Sequence, residues 1–448
     1  MPTIDVTIEK LIYGGEGLAH HEGSTVFVPF VLPSELVAVS PVERKKKFVR
    51  ARVEKVLTPS PTRAVPPCPH FGTCGGCDYQ HIPYEAQLAF KTEILRETLR
   101  RLGHIDWSGP ISPHASQPLG YRNRAQWRFR TAGDESSETK SGGGNALTPL
   151  SIGYYRANSS ALVPIHECPI LSPALQSAFV AIRDAAAAAQ FPRALREIEA
   201  FAASPAVSGA EPKLLVTATF AGYPSHAPEL AKKFREIIPA LESLVFHDPG
   251  RDRMELFGPG FAEHHAAGRA YRVGHFSFFQ VNDSLTEDLV RCAVGSAEPG
   301  QSADSANLAL DLFAGVGLFT LPLAARFARV VAVESNPAAA RDLEFNVRTQ
   351  TNVEVRAADV ERFLEKCKDS PDLVLLDPPR AGLEPSALNR LARIAPREIT
   401  YVSCEPPTLA RDLAALVAAG YSLSELHLFD LFPQTFHMEA IARLRRST

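Results

Sequence analysis

The cysteines of the chain include one group whose spacing could do metal chemistry. Cys68, Cys74 and Cys77 lie close together in the pattern C-x5-C-G-G-C, and Cys168 precedes Pro169 far downstream. Four thiolates can hold a zinc ion or an iron–sulfur cluster. Zinc sites usually present two pairs of closely spaced cysteines. Three clustered cysteines with a remote fourth before proline therefore favour an iron–sulfur cluster, with tetrahedral zinc as the alternative.

The remaining three cysteines differ in their surroundings along the chain. Cys292 and Cys367 lie within apolar helix-like runs, where cysteine usually packs in a core. Cys404 ends the strand-like segment Tyr401-Val-Ser-Cys. A thiolate at the end of a strand is a candidate nucleophile, because it is the ionised sulfur that attacks.

A glycine-rich loop follows the apolar segment 307–313. Its sequence runs from Asp311 to Thr320 as D-L-F-A-G-V-G-L-F-T. Thr320 breaks the dinucleotide pattern G-x-G-x-x-G, and the lysine of a phosphate-binding loop is absent as well. Glu334 ends the next strand-like segment, where an acid can bind a ribose hydroxyl pair. A nucleoside cofactor without phosphates satisfies both facts, and S-adenosylmethionine is the obvious one.

Two further motifs carry acids at places suited to ligand binding. Asp377 follows the apolar segment DLVLL and begins D-P-P-R-A-G, in which two prolines stiffen the loop. An acid there could hold a polar ring, and a plain rigid turn is the alternative. Glu439 ends the segment F-P-Q-T-F-H-M-E, and its carboxylate could accept a proton. Taken alone, this motif is weak, and a surface glutamate is the better interpretation.

Basic residues are concentrated locally, although the net charge of the chain is −3. Arginines alternate with aromatic and apolar residues in 121–130, which predicts a strand with the arginines on one face. Arginines contact phosphates, and aromatic rings stack on unpaired bases. The two basic groups are Arg122, Arg124, Arg128 and Arg130, and Arg44, Lys45, Lys46, Lys47, Arg50 and Arg52. An RNA-binding surface and solvated strand faces both fit them.

The elements that must position these residues change in character along the chain. Residues 1–58 contain short β-rich segments bounded by Gly, Pro and Ser, which predict a small β-barrel module. A proline-rich linker follows at 58–67, and 84–102 has the apolar spacing of a helix. The Gly/Ser-rich stretch 132–147 is predicted to be a mobile loop. We place the domain limits at 1–58, 59–265 and 266–448.

From about residue 266 onward, strand-like and helix-like segments alternate. This alternation predicts a parallel sheet with crossover helices, and short apolar strands such as DLVLLD fit burial on both faces. Ligands of such sheets bind at the carboxyl ends of the strands. The glycine loop, the D-P-P-R loop and Cys404 all follow strand-like segments, so we expect them to meet at one edge.

Composition limits the class of protein. A chain of 448 residues with 45% hydrophobic and 22% charged residues is long enough for about three domains and is neither disordered nor collagen-like. The first ten residues, MPTIDVTIEK, lack the apolar stretch of an export signal, and no apolar run could span a membrane. We therefore expect a cytoplasmic protein whose cysteines bind metal or react rather than form disulfides.

Taken in order, the motifs resemble those of the RNA uracil-5-methyltransferases. The resemblance is carried by DLFAGVG, DPPRAG, YVSC, FPQTFHME and the segment SFFQVN at 277–282. It implies a Rossmann-like class I methyltransferase domain, an N-terminal OB-like barrel of the TRAM type, and a central α+β domain with a [4Fe-4S] cluster. Cys68, Cys74, Cys77 and Cys168 would bind that cluster.

The resemblance also implies roles for single residues. Gln280, Phe313, Glu334 and Asp377 would line the pocket for S-adenosylmethionine and uracil, and Asp359 would lie near the adenine. Cys404 would be the nucleophile and Glu439 the base that removes the C5 proton. Two positions depart from the family pattern, because Glu405 follows the cysteine where Asn is common and Leu318 follows the second loop glycine.

The implied function is S-adenosylmethionine-dependent methylation of carbon 5 of a uridine in 23S rRNA or tRNA. RNA is the expected partner, and no obligate protein partner is evident from the sequence. A methyltransferase acting on another position is a second hypothesis, although such enzymes need no cysteine. A catalytically silent RNA-binding module is a third.

Overall fold

The computed structural model describes residues 3–131, 146–207, 209–295 and 307–447. The predicted loop at 132–147 lies outside the described residues except for its last two positions. Among the described residues, no helix combines the length and the apolar character needed to cross a membrane.

The N-terminal segment forms one six-stranded sheet, so the β-rich prediction for 1–58 is confirmed. Its strands pair in the order β1-β5-β6-β4-β3-β2, and only β4 and β6 run parallel. Alternate residues point inward and form a small separate core that includes Val28, Val37 and Val39. The strands are β1 (Ile4–Thr7), β2 (Lys10–Leu11), β3 (Glu16–His21), β4 (Ser24–Pro29), β5 (Leu36–Arg44) and β6 (Phe48–Thr58).

The predicted helix at 84–102 is confirmed as α1 (Tyr84–Gly103). Its apolar face is buried at Ile94, Leu95 and Leu99, and it ends at His104, whose φ of 52° is left-handed. The short strand β7 (Ser112–His114) follows.

A seven-stranded sheet occupies the middle of the chain, in the order β10-β9-β8-β11-β12-β13-β14. Helices α2 and α3 cover it and share one core with it, to which Trp127, Phe179 and Phe246 belong. A separate hairpin of β15 and β16 follows. The elements are β8 (Arg124–Thr131), β9 (Leu150–Tyr155), β10 (Leu162–Pro164), α2 (Pro173–Ala187), β11 (Leu195–Ala203), β12 (Lys213–Phe220), α3 (Ala227–Ile237), β13 (Leu241–Asp248), the 3-10 turn Pro249–Arg251, β14 (Arg253–Phe257), β15 (Phe261–Ala266) and β16 (Arg269–Gly274).

The C-terminal part confirms the predicted alternation of strands and helices. After a 3-10 turn (Asp283–Leu285), its elements are α4 (Thr286–Val294), β17 (Leu308–Leu312), α5 (Thr320–Ala324), β18 (Arg329–Glu334), α6 (Pro337–Val347), β19 (Val353–Ala357), α7 (Val360–Lys366), β20 (Leu373–Leu376), α8 (Pro385–Ile394), β21 (Glu398–Ser403), α9 (Pro406–Ala418), β22 (Tyr421–Phe429) and β23 (Glu439–Arg446).

These strands form a sheet in the order β19-β18-β17-β20-β21-β23-β22-β7. Strands β17 to β21 are parallel, and β23 runs antiparallel to both of its neighbours. Every residue of β17 and β20 is buried, as expected for strands covered on both faces. The strand order reverses between β17 and β20, and such a switch point opens a crevice at the carboxyl ends.

Two elements from the middle of the chain join this sheet. Strand β7 pairs with β22 as the edge strand, and α1 packs against α9. The helix shares a core with the parallel strands, which includes Leu95, Leu376 and Tyr401. Residues 84–114 thus contribute to the C-terminal sheet, and the domain limits at residues 58 and 265 stay a prediction.

Candidate active site

The ends of the parallel strands bring together the motifs that the sequence singled out. Phe313 follows β17, Glu334 ends β18, Asp377 follows β20 and Cys404 follows β21. Because these strands are parallel neighbours, the four residues lie along one edge of the sheet, on both sides of the switch point.

The glycine loop turns tightly at this edge. Phe313 adopts a φ of 63°, a left-handed conformation that is uncommon for a bulky residue and typical of functional sites. Gly317 has a φ of 96°, and a Cβ atom there would come within 2.8 Å of the Leu343 side chain. The loop therefore requires glycine at 317 and holds the Phe313 ring at the strand end.

Glu334 is fixed beside this loop by two backbone donors. Its Oε2 accepts the N–H of Gly315 at 2.8 Å, and its Oε1 accepts the N–H of Asn336 at 2.6 Å. The carboxylate is thus oriented between the glycine loop and the start of α6. Each of its oxygens keeps further acceptor capacity for a ligand hydroxyl.

The other two residues implied for cofactor binding differ in burial. Gln280 is buried, and its backbone carbonyl accepts a hydrogen bond from Asn123 Nδ2 at 3.0 Å. Asp359 is exposed and caps α7, accepting the N–H of Arg362 at 3.1 Å. Helix capping alone accounts for an acid at position 359.

Cys404 and Glu439 lie at the same end of two paired strands. Cys404 follows β21 and Glu439 begins β23, and in this antiparallel pair Ser403 is the partner of Ala440. Burial raises the pKa of the Cys404 thiol to about 12, and the nearby carboxyls of Glu439 and Asp377 act in the same direction. The sequence singled out both residues, and the sheet brings them to the same end of adjacent strands.

The carboxyls of Glu439 and Asp377 favour their protonated forms. Glu439 is buried, and its Oε1 has no hydrogen-bond partner among the described residues. Burial raises its pKa well above the usual range, and Asp377 raises it further, whereas Arg380 lowers it. Burial also raises the pKa of Asp377. Carboxyls tuned in this way can exchange protons near neutral pH.

Asp311 lies beneath the glycine loop and is fully buried. Its Oδ2 accepts a hydrogen bond from Thr320 Oγ1 at 2.5 Å, while Oδ1 has no partner among the described residues. Burial raises its pKa to about 7, and the charges of Asp377 and Glu334 contribute in the same direction.

We expect Asp311→Asn to stabilise the protein at pH 8 more than at pH 4. The folded chain holds this proton up to about pH 7, whereas an unfolded aspartate loses it near pH 3.9. Ionisation therefore reduces stability as pH rises through this window, and asparagine cannot ionise. The difference has an upper limit of about 4 kcal/mol. Urea unfolding at both pH values measures it. Asp5→Asn, at an exposed position, controls for the lost charge, and equal pH dependence of both variants would contradict the prediction.

The loop that precedes Glu439 is anchored by a residue that was not singled out from the sequence. Lys91 of α1 is fully buried, and its Nζ donates to Asp430 Oδ1 at 2.6 Å and to the carbonyl of His437 at 2.7 Å. Gln87, one turn earlier, exchanges hydrogen bonds with Gln434. The signal in the sequence was a lysine on the apolar face of the predicted helix.

Replacing Lys91 with methionine should lower the free energy of unfolding by about 3 to 5 kcal/mol, because Asp430 would remain as a buried charge without its partner. In the double variant Lys91→Met/Asp430→Asn we expect much of this loss to disappear. Chemical denaturation of both variants and of Asp430→Asn completes the double-mutant cycle, which measures the coupling between the two residues. Additive effects of the two substitutions would show that the pair is not coupled.

The N-terminal sheet reaches the residue after Cys404. The Tyr13 hydroxyl donates to Glu405 Oε2 at 2.9 Å, and the Tyr13 ring packs edge-on against Phe436 with centroids 5.5 Å apart. Sequence reasoning missed this contact, although Glu405 stood out as a departure. A carboxylate at 405 supplies the acceptor that the tyrosine uses.

The four clustered cysteines surround one cavity of about 240 Å³ in the middle of the chain. Each thiol is half-buried, and burial raises the pKa of Cys77 to about 12 and that of Cys168 to about 11. Each of the four thiols interacts electrostatically with the other three. Backbone N–H groups also donate to three of them, Cys68, Cys74 and Cys168.

The spacing of these sulfurs bears on the choice of metal. A tetrahedral zinc ion with bonds of about 2.3 Å places its sulfur ligands about 3.8 Å apart. Among the described residues, the group of three ligand atoms that lie within 4.8 Å of one another lies elsewhere in the chain. The described thiols around the cavity do not form a group as compact as this.

The arginine strand is present, but its charges are largely used within the protein. Residues 121–130 alternate between buried and partly exposed, which confirms that the arginines share one face. Arg124 pairs with Glu199 at 2.8 Å and donates to the carbonyl of Ser277, and Arg128 pairs with Glu197. The exposed basic residues of the N-terminal sheet are Arg44, Lys45, Lys46, Lys47, Arg50 and Arg52.

Cys292 and Cys367 both pack against apolar clusters, as the sequence predicted, and both are half-buried. Cys292 also lies beside two histidines that come from distant parts of the chain.

A doubly wound sheet with a glycine loop and a ribose-type acid at its switch point defines a class I S-adenosylmethionine-dependent methyltransferase. The family described as tRNA (Uracil-5-)-methyltransferase matches residues 265–447. With its full-length relatives, this match shows that the chain belongs to the RNA uracil-5-methyltransferase family. It is thus an enzyme that methylates uracil at C5 and uses S-adenosylmethionine as the methyl donor.

The relatives extend over the whole chain. The 23S rRNA (uracil(1939)-C(5))-methyltransferase RlmD of Pectobacterium atrosepticum is 33% identical over 99% of this chain and 94% of its own. An uncharacterised RNA methyltransferase of Aquifex aeolicus is 34% identical over 98% of both chains. The crystal structure of Pyrococcus abyssi tRNA (uracil-54, C5)-methyltransferase with S-adenosyl-L-homocysteine aligns with a TM-score of 0.72, at 26% identity, covering 98% of this chain and 100% of that one.

Proposed function

We propose that the enzyme methylates its uridine through a covalent adduct in which Cys404 is bonded to C6 of the uracil ring. The observation that carries the proposal is that Cys404 follows β21 and Glu439 begins the adjacent antiparallel β23, close enough for the Glu439 carboxyl to act on the pKa of the thiol. Addition of sulfur to C6 makes C5 an enolate-like nucleophile. C5 then takes the methyl group of S-adenosylmethionine, and S-adenosylhomocysteine leaves. Glu439 next removes the C5 proton, the C6–S bond breaks and the ring double bond returns.

The surroundings of Cys404 support this role. The free thiol keeps its proton at neutral pH, because burial and two carboxyls raise its pKa. Its proton must therefore leave as the C6–S bond forms, and the uracil O4, which becomes the enolate oxygen, can accept it. Arg380 acts in the favourable direction, since its charge lowers the pKa of both Cys404 and Glu439.

The methyl donor would bind along the strand ends. S-adenosylmethionine supplies an electrophilic methyl group on a sulfonium. We assign its contacts and those of the uracil to Gln280, Phe313, Glu334, Asp359 and Asp377. The fixed carboxylate of Glu334 suits a ribose hydroxyl pair.

We propose that Cys68, Cys74, Cys77 and Cys168 ligate a [4Fe-4S] cluster. The donor set fits, because four thiols surround one cavity and receive backbone N–H groups, as cluster sulfurs do. The uridine chemistry needs no metal, so the cluster would stabilise this part of the chain or position the RNA.

Replacing Cys77 with serine should remove most of the bound iron and the cluster's visible absorption from protein purified without oxygen. Cys77 is one of the four thiols that line the cavity, and serine replaces its sulfur with a hydroxyl, which is a poorer ligand for the irons of a cluster. Iron and sulfide analysis of Cys77→Ser and of Cys367→Ser, which lies outside the cavity, measures the effect. Equal iron in both proteins would remove Cys77 from the ligand set.

We also propose that residues 1–58 form a TRAM-like RNA-binding barrel, that 59–265 form the cluster domain and that 266–448 form the methyltransferase domain. The exposed basic residues at 44–52 support RNA contact by the first of these. The target base must leave its stack to reach Cys404, as base-modifying enzymes require.

We infer that the substrate is 23S rRNA, with tRNA as the competing possibility. The full-length relatives with the 23S rRNA name share 33 to 34% of residues with this chain, against 26% for the tRNA enzyme of known structure. The test supplies labelled S-adenosylmethionine with separate pools of unmodified 23S rRNA and tRNA. Labelled 5-methyluridine from the 23S pool alone supports the proposal, and label in tRNA alone overturns it. A different labelled nucleoside would indicate another methylated position, and no label at all would favour a silent RNA-binding protein.

A further inference from the structure

A second group of metal-type ligands lies outside the residues assigned to methylation or to the cluster. It consists of His114 at the end of β7, Cys292 near the end of α4, and His427 in β22. Their three ligand atoms all lie within 4.8 Å of one another, and all three residues are half-buried. The chain positions span more than 300 residues, so the fold and not local sequence brings them together.

The distances fit a tetrahedral zinc-type ion. His114 Nε2 and His427 Nδ1 are 3.2 Å apart, and Cys292 Sγ is 4.0 Å from His114 Nε2. Zinc bonds of about 2.0–2.1 Å to nitrogen and 2.3 Å to sulfur put two bound nitrogens about 3.3 Å apart, and a nitrogen and a sulfur about 3.6 Å apart. To bind zinc, Cys292 Sγ would have to move a few tenths of an ångström closer to His114 Nε2.

Both imidazole rings are already held in place. His427 turns its other nitrogen, Nε2, toward Glu425 Oε2 at 3.5 Å, which is the outer carboxylate typical of zinc-bound histidines. The His114 ring stacks on Phe429 with centroids 3.9 Å apart and planes within 3°. Two ligands are thus oriented by groups that do not themselves bind the ion.

The charges around the trio are mixed. Asp288 lies one helical turn before Cys292, and its charge acts on both His114 and Cys292. Burial raises the pKa of the Cys292 thiol, whereas the charges of Arg291 and Arg443 lower it. Glu425 and Asp288 offset the two arginines, so the site carries no large excess of positive charge.

We propose that His114 Nε2, Cys292 Sγ and His427 Nδ1 bind a zinc-type divalent ion, with water or the Asp288 carboxylate as fourth ligand. The ion would fasten β7, which comes from the middle of the chain, to α4 and to β22 of the C-terminal sheet. Two imidazoles and a thiolate suit zinc rather than magnesium or calcium. This inference does not depend on the proposed reaction.

The test is a titration with Zn²⁺ alone, in competition with a coloured chelator, on protein purified without oxygen. We compare the wild type with Cys292→Ala, His427→Gln and the control Cys367→Ala. Iron is measured in every sample, because empty cluster cysteines would also take up zinc. Circular dichroism shows that each variant is folded.

We expect one tight zinc equivalent in the wild type and in Cys367→Ala. The affinity should fall at least about 100-fold in Cys292→Ala and in His427→Gln, and about 10-fold in Glu425→Gln, as for other outer partners of zinc ligands. With Co²⁺, a thiolate-to-metal absorption band should be present in the wild type and absent from Cys292→Ala. Equal zinc binding by all the proteins at equal iron content, or no tight zinc in the wild type, would overturn the proposal.

Discussion

Cys404→Ala should lose methyl transfer by at least about 10⁴-fold, because no other group can add to C6 of the uracil and make C5 nucleophilic. The variant should also fail to form a covalent complex with RNA on a denaturing gel. Binding of S-adenosylmethionine, measured by calorimetry, should change little, since Cys404 lies beyond β21 and the glycine loop lies after β17 on the other side of β20.

The matched control is Cys367→Ala, which removes a half-buried thiol from the end of α7. It should methylate RNA at a rate close to that of the wild type. Cys404→Ser separates nucleophilicity from volume, because a hydroxyl fits the space but adds to C6 far more slowly. Turnover by Cys404→Ala within 10-fold of the wild type would remove Cys404 from the reaction.

The carboxyl edge of the sheet was predictable because its residues obey local rules. Short apolar segments predicted buried strands, and the residues at their ends were therefore expected at one edge, as Glu334, Asp377 and Cys404 are. The roles of Gln280 and Asp359 were predicted from the family resemblance alone. The spacing of residues could not predict a binding role for Asp359, because an exposed acid that caps a helix needs no ligand to explain it.

The contacts that support the site could not be predicted, because they join distant parts of the chain. Lys91 and Asp430 are 339 positions apart, and Tyr13 and Glu405 are 392 apart. The periodicity of apolar residues along the sequence does not predict contacts between such distant positions. The arginine strand shows the converse case. Its alternating pattern was predicted correctly, but Glu197 and Glu199 on the adjacent β11 form ion pairs with arginines that had been predicted to bind RNA.

Glu439→Gln should accumulate the covalent RNA adduct while turnover falls by about 10²- to 10⁴-fold. An amide cannot take the C5 proton, so the methylated ring stays bonded to Cys404. Glutamine has nearly the same volume as glutamate, so the space beside Cys404 is kept. Adduct formation should therefore be about as fast as in the wild type, and only its resolution should stall.

This prediction is tested by comparing two rates, the rate at which the adduct forms and the rate at which the product is released from it. If Glu439 merely shaped the pocket, Glu439→Gln would slow adduct formation and release together, whereas a base lost after methyl transfer slows release alone. Glu398→Gln, at the other end of β21 and paired with Arg445, controls for a lost carboxylate on the same sheet and should leave both rates unchanged. A Glu439→Gln protein that turns over normally would show that another group takes the proton. Since Asp377 raises the pKa of Glu439, that carboxyl is the one to replace next.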